Sequence, residues 1–388
     1  MNRKQFIILL VLLVLIGAAG WVVHQRGRNS WQSGGQTIGQ KLLPALAVND
    51  IAQVLIRSGT NELNLARRDN LWRVRERGDY PANFSEISGL LLKFADLKVA
   101  QSQDVGASQL GRFELLPPGA GANAGTLVEF KSEAGKTLSS VFLGKKHLSK
   151  SGGAPFESMG AGGRPDGRYV MVGGEAKTLA VISDPLDNVQ PKPEAWLSKD
   201  FFSIEKPRSI AVQFPEATNS WKLTRASETN EWQLADAGPD EKADPTKVSG
   251  VTSPFASASF NDVFPGNTQP EISGLTNVTT MTVETFDGFA YTFKIGQKQS
   301  ESYPVTLSVA AVLPTERTAG EDAKPDDKTK LDKEFKDRQK NLTDKLAREK
   351  QFANWIYRLP GYAVDSTLKR RDQLLTESKA EPAATVEK

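Results

Sequence analysis

The chain has 388 residues, 39% hydrophobic and 24% charged, a globular composition long enough for two or three domains with their own cores. Its net charge of +3, from 49 basic and 46 acidic side chains, gives no reason to expect nucleic acid or another broadly anionic surface as partner. Cysteine is absent, which excludes disulfides, a thiol nucleophile and a lipoprotein anchor.

Residues 1–5 precede an uncharged run at 6–23, FIILLVLLVLIGAAGWVV. At 1.5 Å per residue the run reaches about 27 Å, enough for a bilayer core. Arg3 and Lys4 lie before it and Trp21 near its far end, so it reads as an uncleaved transmembrane anchor with residues 1–5 cytoplasmic. Arg26 and Arg28 follow the run, so this orientation rests on the short basic N-terminus. A cleaved signal peptide is the rival reading, with Gly17-Ala18-Ala19 as its small-residue site. Residues 24–47 are rich in Gly, Ser and Gln and read as a spacer.

The first unit, 48–183, opens with three short strands, IAQVLIRS, ELNLARR and LWRVRE. The helix NFSEISGLLLKFADL follows, with Ile87, Leu90, Leu91 and Phe94 on one face and Asn83 with Glu86 as a capping box. A hairpin at 126–146 turns at Ala134-Gly135, and RYVMVG is a further strand. The glycine-rich stretch 151–167 precedes a strand rather than a helix, so it reads as a loop and not a phosphate cradle. Residues 184–207 link to a second unit; Trp196-Leu197 and Phe201-Phe202 are expected to be buried against one unit or both.

The second unit, 208–313, repeats the first. Leu63, Leu65 and Arg67 match Trp221, Leu223 and Arg225, and Trp72 and Val74 match Trp232 and Leu234. Val248, Val251, Thr252 and Phe255 repeat the helix stripe behind an Asp244-Pro245 start, with Pro254 placed to kink or shorten it. Ser88-Gly89 recurs as Ser249-Gly250, suggesting close helix–sheet packing, and Phe130, Gly144 and Tyr169 are matched to Phe286, Gly296 and Tyr303. The expected core is Trp72, Leu90, Phe94, Trp232, Val251 and Phe255. Residues 314–330 form a polar linker. In 331–378, Leu331, Phe335, Leu342, Leu346, Ala353 and Tyr357 keep a helical period up to Pro360-Gly361. That stripe is expected to dock on the repeats; the alternative is that residues 342–357, with Trp355 and Tyr357, bind a partner helix. Residues 379–388 read as a disordered tail.

Chemistry is sparsely marked. His24 and His147 are the two histidines, and a Ser-His-Asp triad would have to use His147, with no G-x-S-x-G to supply the serine. No clustered His or Cys suggests zinc, and Asp184, Asp187 and Asn188 lack calcium-loop spacing. Hence no catalytic residue, cofactor or metal ligand is expected. A carboxylate pair can meet in space without a sequence signal.

The segments ELNLARRDNLWRV, ISGLLLKFADLK, LGRFELLPPG, TLVEF, VFLGKK, RYVMV and EAWLSKDFFSIEKPRSIAV resemble the bacterial domain-of-unknown-function family 4340. The likeness covers residues 48–212 well and the second unit more loosely. It implies a membrane-anchored, extracytoplasmic protein associated with auxiliary components of ABC-type transport systems such as those of gliding motility. It carries no catalytic signature.

The expected fold is α+β: an N-terminal transmembrane helix, two tandem related α+β units with antiparallel sheets each covered by a helix, and a C-terminal helix. The expected function is a non-enzymatic accessory or scaffold in the bacterial inner membrane, single-pass, its bulk periplasmic or extracytoplasmic. It would contact lipid through residues 6–23 and ABC-type transport auxiliary subunits as protein partners, with no nucleic acid. One alternative is a module binding envelope polysaccharide or another ligand, with a groove between the units. Another is an enzyme with two acidic residues at catalytic distance in a pocket.

Overall fold

A computed structural model describes residues 38–148, 164–173, 178–239, 241–256, 258–316 and 325–376. The chain divides into two compact units between Ser198 and Lys199.

In the first unit β1 (Gln53–Ser58), β2 (Asn61–Arg68), β3 (Leu71–Val74) and β4 (Tyr80–Pro81) form an antiparallel meander. The β2–β3 turn falls on Asp69 and Asn70, both at positive φ, which short polar side chains tolerate. α1 (Phe84–Asp96) follows, capped by the Asn83 side chain, which accepts from the Ser85 and Glu86 amides at 3.0 and 3.4 Å. The chain then reaches the far edge as β5 (Val99–Asp104). β6 (Thr126–Lys131) returns beside β1, and β7 (Thr137–Leu148), β8 (Pro165–Val172) and β9 (Thr178–Ile182) fill the space back to β5. The nine-stranded order is β4-β3-β2-β1-β6-β7-β8-β9-β5.

Register builds the core. Val54 pairs with Leu65 and Phe130, and Leu65 with Val74, so one row of apolar side chains crosses four strands on one face. Phe94 of α1 meets Phe130 edge to face at 5.1 Å, and Ile87, Leu90 and Leu91 are buried beside it. The other face of β6–β9 has a separate cluster of Val105, Leu115, Phe142, Met171 and Leu179, with Phe113 and Tyr169 against it. Cover on both faces turns the alternation of β7 into an unbroken buried stretch from Val141 to Gly144. At Gly144 a Cβ would lie 2.2 Å from the Phe113 carbonyl oxygen, so only glycine lets the covering backbone approach.

The second unit contains β10 (Pro207–Gln213), β11 (Trp221–Thr224), β12 (Gln233–Leu234), α2 (Pro245–Ser249), β13 (Asp262–Pro265) and α3 (Pro270–Ser273). It continues with β14 (Thr279–Thr285), β15 (Phe289–Ile295), β16 (Ser302–Ala311), α4 (Pro325–Lys350), β17 (Trp355–Pro360) and α5 (Gly361–Val364). The order β12-β11-β10-β14-β15-β16-β17-β13 is that of the first sheet without its β4 edge. The connections differ in length: residues 149–164 join β7 to β8 where 296–301 join β15 to β16, and α4 stands between β16 and β17 where 173–177 join β8 to β9. Phe201 packs on Phe260, Phe352 and Tyr357 with ring centroids 4.6 to 5.4 Å apart, and Phe202 packs on Phe255 and Phe293.

Several expectations are corrected. The class is not α+β: the described chain is mostly β, two large antiparallel sheets with short helices against them. No helix among the described residues is long and apolar enough to cross a membrane, so the expected leading transmembrane helix is no part of the fold described; residues 6–23 lie outside it. The expected C-terminal helix does not run to Pro360. α4 ends at Lys350 and Trp355–Pro360 is a strand, because pairing with β16 on one side and β13 on the other overrides the leucine period. Tyr357, expected as partner contact in the alternative reading, is thereby buried.

The second covering helix has only five residues, although Val248, Val251 and Phe255 are still buried. Trp232 is half-buried under the Arg225 guanidinium at 4.8 Å rather than in the core. Gly89 and Gly250 are both exposed, so neither serves close helix–sheet packing. Register also shifts two of the matched pairs. Ile210 pairs with Leu223 and Val283 as Val54 does with Leu65 and Phe130, so Val283, not Phe286, takes the place of Phe130. Leu143 pairs with Val170, and its counterpart Ile295 with Val305; two residues back on each strand, Arg168 and Tyr303 therefore correspond. A one-residue slip of this kind moves a side chain to the other face. The link divides cleanly: Leu197 lies opposite Ala82 in the first unit, where the Trp196 carbonyl accepts from the Asn83 amide and the Ser198 amide donates to the Pro81 carbonyl, and Phe201 and Phe202 belong to the second.

Candidate functional site

Where β1 ends and β6 begins, the first sheet carries a polar hollow of about 290 Å3. The β1–β2 hairpin supplies Ser58 and Asn61, the start of β6 supplies Thr126, and β7 and β8 supply Lys146 and Arg168. Asp187 to Lys192 close it from the side. The Thr126 and Ser58 hydroxyls are hydrogen-bonded to each other at 3.2 Å.

Arg168 organises the closing segment. Its Nε donates to the Gly144 carbonyl at 2.8 Å, and its Nη1 to the Pro185 and Leu186 carbonyls at 3.2 and 3.3 Å. Leu186 takes positive φ, and its amide donates to Asp184 Oδ1 at 2.8 Å, a local Asx-type turn. Leu186 and Val189 are buried and pin the segment down. Burial lowers the Arg168 pKa below its ordinary value, while Asp187 and then Glu114 oppose that shift, so the guanidinium remains a cation. Lys146 pairs with Asp187. The lining thus carries Lys146, Arg168 and Lys192 against one carboxylate, Asp187.

The model of the family described as "Domain of unknown function (DUF4340)" matches residues 72–278, more than half of the chain. The chain belongs to this family. Comparison with curated proteins and with solved structures gives no match. The stretch matched to DUF4340 runs from within β3 to just short of β14, starting later and reaching further than the residues 48–212 on which the sequence resemblance is strongest.

In the second unit the residues at the corresponding positions are altered. Gly296 occupies the place of Gly144, again with a backbone carbonyl, that of Gly274, 2.2 Å from where a Cβ would stand. Two residues on, Lys298 corresponds to Lys146 and pairs with Asp365 at 3.1 Å. Tyr303, at the position of Arg168, donates its hydroxyl to Asp365 at 2.6 Å. Burial, then that hydrogen bond, pushes the Tyr303 pKa up to about 12; Tyr303 first, then Lys298, holds Asp365 below its usual range. A phenol therefore replaces a cation here, and the carboxylate is satisfied within the protein.

The residues weighed from sequence are placed as follows. His24 lies outside the described residues. His147 Nδ1 is 2.6 Å from Asp166 Oδ1, with its ring edge-on to Tyr169, and among the described residues no hydrogen bond joins it to a serine. No group of three or more His, Cys, Asp or Glu among the described residues could hold a metal ion. Acidic residues do share hollows. Asp96 and Asp184 line one of about 360 Å3, but Lys41 and Lys93 pair with them at 3.0 Å. Glu205 and Asp287 line one of about 30 Å3, the share of a single water.

α4 lies on the second sheet through a polar as well as an apolar contact. Phe335 and Leu342 face Phe286 and Leu313 across a hollow of about 110 Å3, closed by an Arg338–Asp287 ion pair. Glu349 is fully buried and accepts from Tyr291 Oη at 2.8 Å and the Ser203 amide at 3.2 Å. Burial, then Glu349, pushes the Tyr291 pKa far above the tyrosine range. No sequence signal marked this contact beyond the helical spacing of Phe335, Leu342 and Glu349.

Proposed function

We propose that this protein is a non-enzymatic accessory or scaffold subunit of a bacterial membrane transport complex of the ABC type, its two sheets on the extracytoplasmic side of the inner membrane. The observation that carries this reading is the outward side of α1. Phe84 and Leu92 are 65% and 58% exposed there, about 80° apart around the helix. The solvent side of a surface helix is ordinarily polar. These two side chains stand on a helix capped by Asn83 and fixed by four buried residues, and we take them as the apolar contact offered to another protein. The uncharged sequence at 6–23 supports a tether to lipid. Membership of DUF4340 supports the resemblance from which the transport association comes.

The test is affinity purification of the full-length chain from bacterial membranes in mild detergent. Transporter subunits should be recovered with it in fixed proportion, and should be lost with Leu92→Asp. Recovery of the chain alone from a membrane fraction that retains intact transporter would sink the proposal.

A further inference from the structure

The hollow in the first unit has the chemistry of an anion site, and we propose that it binds the phosphate group of a small organic phosphate. This goes beyond the accessory role proposed above and does not rest on it, since none of its lining residues lies on α1.

Three cations from three separate segments converge on one cavity: Lys146 from β7, Arg168 from β8 and Lys192 from the closing segment. Asp187 answers one of them. Among the described residues Lys192 has no ion pair, and Arg168 Nη2 has no acceptor. Arg168 cannot lose its proton, and its plane is already fixed by three carbonyls, so little freedom is lost when a ligand accepts from Nη2. The two N–H bonds of Nη2 are the donors left to meet oxygens of a tetrahedral anion. Thr126 donates its hydroxyl to Ser58, which leaves the Ser58 hydroxyl and the Asn61 amide as neutral donors for the remaining oxygens of a phosphate or for an attached hydroxyl.

Size narrows the ligand. At about 290 Å3 the hollow is wider than a bare phosphate. An organic remainder of a few carbon atoms would fill the rest. The second unit supplies an internal comparison: it keeps the lysine–aspartate pair as Lys298 and Asp365 but has Tyr303 where Arg168 stands. The feature that selects an anion therefore belongs to the first unit alone.

Calorimetric titration of the full-length protein in mild detergent tests this, with glycerol 3-phosphate, inorganic phosphate and glycerol as probes. Glycerol 3-phosphate should bind and glycerol should not. Lys192→Gln, an exposed position, should weaken glycerol 3-phosphate about tenfold, the loss of one charge-assisted hydrogen bond, while Lys298→Gln leaves it unchanged. Vesicles of phosphatidylglycerol in phosphatidylcholine form a further arm. Tighter, Lys192-dependent binding to these than to glycerol 3-phosphate identifies a lipid headgroup as the source of the phosphate; weaker binding identifies a free small molecule. The proposal fails if no phosphate probe binds at tens of millimolar. It also fails if binding is unchanged in Lys192→Gln and Lys146→Gln alike, or if Lys298→Gln weakens it as much as Lys192→Gln does.

Discussion

Replacing Glu349 with alanine probes how α4 is held on the second sheet. The carboxylate is fully buried and accepts two hydrogen bonds, from Tyr291 Oη at 2.8 Å and from the Ser203 amide at 3.2 Å. Removing it strands one buried donor, Tyr291 Oη, at about 1–3 kcal/mol, whereas the amide of Ser203, an exposed residue, can turn to water. Part of this is recovered, because Tyr291 Oη lies 3.3 Å from the Ser203 carbonyl and because a buried charge no longer has to be desolvated. The expected net loss is about 1–2 kcal/mol. With a urea slope of about 2–3 kcal/mol per molar, the unfolding midpoint of the second unit should fall by roughly 0.5 M. Urea titration followed by hydrogen exchange at the amides of residues 355–359 reads it, since those amides belong to the strand that follows α4. In a double-mutant cycle, Tyr291→Phe should cost about 1–2 kcal/mol, and the double variant less than the sum. A loss below about 0.5 kcal/mol for Glu349→Ala, or strict additivity with Tyr291→Phe, would refute the argument that this contact fastens the helix.

Other substitutions test the rest of the fold. Gly144→Ala places a Cβ 2.2 Å from the Phe113 carbonyl oxygen, main chain that cannot rotate aside, so it should destabilise the first unit by about 1–3 kcal/mol in urea titration; Gly296→Ala should do the same to the second. Phe94→Ala removes the ring packed on Phe130 and should cost about 3–5 kcal/mol by the same measurement. Glu241 is held down to about 2, first by its hydrogen bonds from Arg371 and then by that from the Gly238 amide. A depressed carboxylate contributes stability above its unfolded value near 4.5, and that contribution disappears as pH falls toward about 2. Thermal unfolding across that window should be steeper in pH for the parent chain than for Glu241→Gln.

The repeat was legible in the sequence where a residue's place is fixed by alternation over a few positions. Leu63 and Leu65 against Trp221 and Leu223 are truly equivalent, since each pair faces the same partners on the neighbouring strand. Gly144 against Gly296 was legible for the same reason, and the structure adds its cause, a carbonyl pressed onto each. The N-caps Asn83 and Asp244 were legible because a cap is a local bond. What failed depended on distant pairing. TLAVI at Thr178–Ile182 has four buried residues in a row and shows no period, and WIYRLP followed a helix whose leucine spacing ran on into it. The slip between Tyr169 and Tyr303 arose from matching residue type without register. The polar hollow could not be read at all. Its residues run from Ser58 to Lys192 with no local motif, and it exists only because β1 ends and β6 begins beside a β7–β8 hairpin that runs on past them.

Photo-crosslinking from α1 in intact bacterial membranes tests the assembly role most directly. A photoreactive residue at Leu92 is compared with one at Val312, which is 87% exposed in the second unit. The account predicts a discrete adduct with a transporter subunit from position 92 and none of that size from position 312. No protein adduct at 92, or the same adducts from both positions, would contradict it.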